Sequence, residues 1–170
     1  MGNALCVREA DAASRGVPSS HLVKLGATPI GRPLSWLPTA YHTSIMVDDT
    51  EYCFCNSGVV ESTGFVSHRR FEQRIVTDRG PAMVKGPFSV LDLGITSISG
   101  ADMLRALTPW FGSGSYDILL KNCNSFSDAA LYYLLGARLD GRYISLEQIG
   151  SNAEKYLKIV TFLSRGTYRP

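Results

Sequence analysis

The most regular alternation of apolar and polar residues runs through "NSFSDAALYYLLG", where Phe126, Ala129, Ala130, Tyr133 and Leu134 fall at i, i+3, i+4, i+7 and i+8. That spacing predicts a helix with one apolar stripe, and Gly136 occupies the C′ position that closes it. "YHTSIMV" and "EYCFC" are β-branched or apolar runs divided by "DDT", which predicts an antiparallel hairpin. "FSVLDLG", Phe88 to Gly94, predicts a strand stopped by its glycine, and "YDILL" a last strand or extended entry to the long helix.

The remaining pattern is weaker. "ALCVREAD", with Leu5 and Val7 on one side, predicts a first strand over Ala4 to Asp11. Ser19 or Ser20 can cap a short helix, "HLVKLG", ended by Gly26 and Pro29. "GRPLSWLPT" contains Pro33 and Pro38 and reads as loop, while residues 56 to 87 show little periodicity. Ser99 followed by Asp102 predicts a capped helix over "MLRAL", and "ISLEQI" and "NAEKYLKIVTFL" predict smaller C-terminal helices. Strands and helices are mixed without an internal repeat. The expectation is one α+β domain over residues 1–170, with a core of about 4–150 and a helical extension of about 151–170.

Composition narrows the function classes. Apolar residues make up 45% and charged residues 19%, as in an ordinary globular chain. Seventeen basic residues against fifteen acidic ones, spread along the chain, exclude a nucleic-acid surface. "HRR", His68 to Arg70, reads as a solvated turn. Cys6, Cys53, Cys55 and Cys123 have no framework spacing, and no secretory signal is visible. The protein is therefore expected to be soluble and intracellular, in the cytoplasm and also the nucleus. Gly2 in "MGNALC" is a candidate for myristoylation, with Cys6 as a second acylation point, but the first-strand reading is preferred to this loose pattern.

Chemistry concentrates at Cys123, between Asn122 and Asn124 at the start of the long helix. It continues the apolar stripe, so its thiol faces inward and can be a small core residue. The same position lies at the positive end of a helix, where a thiolate and a developing oxyanion are both stabilised. Asn122 or Asn124 can cap the helix or reach a substrate carbonyl. A nucleophilic cysteine needs a base. His21 and His68 read as surface residues, whereas His42 lies on a rigid strand and shares a face with Ser44 and Met46. Cys53 and Cys55 form a C-x-C pair on one strand face, read as small apolar residues and not as metal ligands.

The ordered blocks "YHTSIMV", "EYCFCNSGV", "VLDLG" and "YDILLKNCNSFSDAALYYLLG" resemble the PPPDE peptidases, the DeSI-type deSUMOylating isopeptidases, over roughly Ala4 to Gly150. The resemblance implies a circularly permuted papain-like fold, a mostly antiparallel sheet packed with helices. It implies Cys123 as nucleophile and His42 as base, with no metal or organic cofactor. Tyr41 stands where the family commonly has Trp, Cys55 where it has Gly, and Asp140 near where it has Pro. The substrate would be a conjugate of a ubiquitin-like modifier, SUMO or ubiquitin, with Trp36, Tyr41 and Cys55 beside its groove. Family members are described as homodimers, which makes dimerisation an expectation. Thioester hydrolysis, such as removal of palmitate from protein cysteines, is the alternative with the same residue pair. A ubiquitin-like-binding module with weak catalysis is the alternative from another class.

Overall fold

Val23, Leu25 and Ala27 alternate with more polar neighbours. In the computed structural model, which describes residues 19–31, 39–77 and 80–144, they share the buried face of a strand, β1 (His21–Gly31). The short helix expected over "HLVKLG" is thus replaced by strand. β1 pairs with neighbours on both sides, and that pairing outweighs the helix propensity of Leu and Lys.

β2 (Ala40–Val47) and β3 (Thr50–Cys55) form the expected hairpin, turned through Asp48 at φ 54°. β4 (Gly58–Thr63) extends the sheet, and a single 3-10 turn (Ser67–Arg70) follows it. β5 (Glu72–Thr77) and β6 (Gly80–Lys85) make a separate two-stranded ribbon. β7 (Ser89–Thr96) completes an antiparallel sheet ordered β4-β3-β2-β1-β7. Gly94 does not stop this strand as expected. Val23 pairs with Gly94 and Lys24 with Asp92, so Leu93 is an extra residue, and Gly94 absorbs the bulge at φ 136°.

β2 and β3 pair only over Ile45↔Tyr52, Met46↔Glu51 and Val47↔Thr50. Beyond that point β2 stays with β1 as far as Ala40, and β3 stays with β4 as far as Cys55. The two strands therefore diverge, and the sheet opens between His42 and Cys53.

One face of the sheet is mainly apolar. Leu25, Ile45 and Phe54 meet Phe126, Ala130 and Leu134 of α2 (Cys123–Leu135), and α1 (Gly100–Leu107) adds Met103 to the same cluster. The stripe predicted for α2 is rotated in the structure. Tyr133 is 40% exposed, and Asn124, Ser127 and Leu131 are buried in its place. Thr43 Oγ1 hydrogen-bonds Asn124 Oδ1 at 2.8 Å and Ser127 Oγ at 2.9 Å, which satisfies a polar edge that apolar periodicity alone would leave outside.

The opposite face carries a buried polar layer, covered by Phe65, the 3-10 turn and Phe71. Gly26 permits this close cover, because a Cβ there would lie 2.5 Å from the Phe65 ring and 2.9 Å from His68 Nε2.

"YDILL" is not a strand. Asp117 Oδ1 accepts from the N–H groups of Leu119 and Leu120, both at 2.8 Å, and this local turn replaces a ladder. Among the described residues no helix is long and apolar enough to cross a membrane. The strand expected over Ala4 to Asp11, the proline loop with Trp36 and the helix expected in "NAEKYLKIVTFL" lie outside the described residues.

Candidate active site

The start of α2 is fixed twice. Asn122 is its N-cap: Oδ1 accepts from Asn124 N at 2.8 Å and Ser125 N at 3.3 Å, while Ser125 Oγ accepts from Asn122 N at 3.0 Å. Asn124 ties the first turn to β2, because its Nδ2 donates to Tyr41 O at 3.3 Å and its Oδ1 accepts from Thr43. These partners are the residues on either side of His42. Cys123, the first residue of α2 and 6% exposed, is thereby anchored beside the strand that carries the histidine.

Strand alternation turns Thr43 toward α2 and His42 toward the other face. The helix start is thus tied to the strand that carries His42, near the end where β2 and β3 separate. Cys53 lines this opening, with Sγ 3.8 Å from His42 Nε2. Burial pushes its thiol up to about 12, and the nearby Cys123 adds to that shift, so Cys53 is a neutral thiol. Tyr116 completes the cluster with a hydrogen bond to Cys123. Burial first, and then the charge of Cys123, raises its phenol above the usual range. His42 is 2% exposed, and burial, aided by the charges of His68 and Arg70, lowers it to about 2. The imidazole is thus neutral at pH 7.

Behind His42 lies Glu51, fully buried on β3. Its Oε1 accepts from Ser44 Oγ at 2.7 Å and Ser67 Oγ at 2.6 Å, and its Oε2 from Ser62 Oγ at 2.9 Å and Ser67 N at 3.0 Å. Burial raises the carboxyl, but these donors together outweigh it and hold Glu51 below its ordinary range. His42 Nε2 lies 2.8 Å from Ser67 Oγ, and His68 Nε2 lies 2.9 Å from Ser44 Oγ. His68 Nδ1 is 2.8 Å from Thr28 Oγ1. Far from being a surface residue in a solvated turn, His68 is fully buried, with Arg69 and Arg70 left outside. Burial lowers His68 to about 4 despite the pull of Glu51.

These shifts set an acid limit on stability. Unfolded imidazoles titrate near 6.5, so below that pH the unfolded chain binds more protons than the folded one. Unfolding free energy should be full above pH 6.5. It should then fall with pH, toward about 4 for His68 and about 2 for His42, with Glu51 adding to the loss below its ordinary value of 4.5. The slope approaches about 1.4 kcal/mol per pH unit for each histidine. Urea unfolding at pH 7.5, 6.0 and 5.0 measures it, and a flat profile over that range would show that both rings protonate in the folded protein.

The structure brings Cys123, His42 and Asn124 into one region, together with Asn122 as the cap. Both asparagine amides already donate within the chain, Asn122 Nδ2 to Ile118 O at 2.9 Å and Asn124 Nδ2 to Tyr41 O. Tyr41 stands edge-on to Tyr143, with ring centroids 5.1 Å apart, on the α2 side of the sheet. Cys55 is half-buried and points its thiol to Gly58 O at 3.6 Å across the β3–β4 turn, without the positive φ that glycine would permit. His21 pairs with Asp48 at 2.7 Å, at the start of β1. Among the described residues no group of three or more His, Cys, Asp or Glu is arranged to hold a metal ion.

Neither Glu51 nor Ser67 stands out in the sequence, where His68 reads as a surface residue and Cys53 as a small strand residue. A signal existed for the first of these: a lone carboxylate on the alternating strand "EYCFC", opposite a strand face already carrying His42 and Ser44.

Residues 19–161 match the family described as "PPPDE putative peptidase domain". The chain is 28% identical over 120 residues to desumoylating isopeptidase 1 of Xenopus laevis, covering 68% of this chain and 60% of that protein. It is 27% identical over 103 residues to desumoylating isopeptidase 1 of Rattus norvegicus, covering 58% of this chain and 52% of the relative. The chain thus spans less than two thirds of the length of these relatives.

Proposed function

The chain belongs to the PPPDE peptidase family, and from that premise we propose that it is a cysteine isopeptidase acting on conjugates of a ubiquitin-like modifier, SUMO or ubiquitin. The observation that supports this most is the pair of Asn124 bonds to β2 on either side of His42, which holds the Cys123 end of α2 at the opening of the sheet.

The chemistry follows from the neutral imidazole. His42 accepts the Cys123 proton as the sulfur attacks the carbonyl of the modifier's C-terminal residue. The resulting oxyanion is stabilised at the positive start of α2, with the main-chain N–H of Cys123 as one donor. His42⁺ then protonates the lysine Nζ, the C–N bond breaks, and the amine leaves a thioester on Cys123. Water, deprotonated by His42, attacks the thioester and releases the modifier as a carboxylate with the thiol restored.

Coumarin-amide derivatives of SUMO and of ubiquitin, tested beside a palmitoyl-thioester probe, separate the possible activities. Release of coumarin from at least one modifier is the expected result. Turnover of the acyl thioester alone would overturn the isopeptidase reading in favour of a thioesterase. Tight modifier binding without turnover of any probe would make the protein a binding module.

A further inference from the structure

We propose that Glu51 and Ser67 are positioning residues for His42, selecting its Nε2–H tautomer and leaving Nδ1 as the base that takes the Cys123 proton. The inference rests on the reading of His42 as that base.

Glu51 is buried and surrounded by donors on both oxygens, so as a carboxylate it only accepts. Ser67 has one hydroxyl proton, and the 2.6 Å contact to Glu51 Oε1 claims it. Toward His42 the Ser67 oxygen can then only accept. The nitrogen 2.8 Å away, Nε2, must therefore carry hydrogen. The lone pair is left on Nδ1. Cys53 also lies near Nε2, but at 3.8 Å its sulfur is a weak partner beside the 2.8 Å hydroxyl.

The carboxylate is itself held from the other side. Ser44 donates to the same Oε1 at 2.7 Å and lies 2.9 Å from His68 Nε2, so the two histidines flank Glu51 through two serines. Ring contacts complete the clamp on His42, with the centroids of His68 at 4.7 Å and Phe71 at 5.3 Å. When His42 gains its second proton, the positive ring keeps an Nε2–H bond to a hydroxyl polarised by a negative carboxylate. A ring free to turn or to change tautomer would not keep its lone pair on Nδ1.

Ser67→Ala in the full chain tests this, because the Ser67 N–H, Ser44 and Ser62 still satisfy Glu51 in that variant. Nitrogen-15 spectra of the histidines should show His42 as the Nε2–H tautomer in the parent protein and as a mixture in Ser67→Ala. Alkylation of Cys123 by iodoacetamide at pH 7 and kcat on a modifier–coumarin substrate should both fall roughly 10²-fold, with KM within about twofold. Ser67→Thr, which keeps the hydroxyl, should recover the tautomer and most of the rate. An unchanged tautomer, or rates within twofold of the parent in Ser67→Ala, would overturn the proposal. Cys123→Ala and His42→Ala serve as references: if they too leave turnover intact, the parent reading has failed. If they abolish it while Ser67→Ala is silent, only the positioning role has failed. Glu51→Gln should act in the same direction as Ser67→Ala, and where it does not fold the serine variants decide.

Discussion

Replacing Cys123 by alanine should cut modifier release by roughly 10⁴-fold or more and remove the fast iodoacetamide alkylation expected at that residue at neutral pH. Three thiols lie in the described part of the chain, and the structure separates their chemistry. Cys53 is closer to the imidazole than a sequence reading would suspect, yet burial holds it near 12, so it presents almost no thiolate at pH 7. Cys55 turns away to the Gly58 carbonyl. Only Cys123 combines a helix start with attachment to the strand of His42. Mass spectrometry after brief alkylation should find the label on Cys123 in the parent protein, and Cys53 unmodified in both the parent and Cys123→Ala. Rapid labelling of Cys53 in Cys123→Ala would place the nucleophile on β3. His42→Ala should lose roughly 10³-fold at pH 7. Its alkylation deficit should narrow at pH 9, where hydroxide replaces the missing local base, while amide turnover stays low for want of an acid to protonate the amine.

The parts of this site visible in the sequence are those governed by local rules. Gly136 at φ 66° and the Asn122 cap bound α2 where turn and capping chemistry place them, and β2 and β3 follow from two apolar runs around a tight turn. Local rules also mislead where pairing decides. "HLVKLG" has capping serines before it, yet it forms a central strand because β2 and β7 both need a partner. The register that opens the sheet between His42 and Cys53 depends on β2 and β3 choosing different neighbours beyond Ile45 and Tyr52. No window of a few residues contains that choice. Ser67 and His68 come from a stretch without periodicity, and they reach the site only because Gly26 lets the 3-10 turn lie against β1. The long-range partners of Glu51 are hidden for the same reason, whereas Ser44, across the hairpin and 7 residues away in sequence, was within reach of a register argument.

Glu51→Ala should lower stability by about 3–5 kcal/mol, the cost of leaving several buried hydrogen-bond donors without their charged acceptor. The carboxylate is fully buried and gathers three serine hydroxyls and one main-chain N–H. An alanine leaves those donors facing a cavity, and it removes the acceptor through which Ser67 and Ser44 orient two buried imidazoles. The alternative effect, relief from desolvating a charge, is smaller here, because alanine neither fills the volume nor pairs the donors. Against a total of roughly 5–15 kcal/mol, the loss takes up much of the molecule's stability. For a chain of this size it corresponds to a Tm lower by about 10 °C or more. Glu51→Gln keeps the shape and one acceptor oxygen but points an NH2 group at donors, so its cost should fall between those of the parent and alanine. Measurement at pH 7.5 keeps both histidines neutral and isolates the carboxylate. A Glu51→Ala variant within about 1 kcal/mol of the parent would mean that Glu51 does not bind the two serine–histidine arms together, and the proton allocation at His42 would lose its anchor.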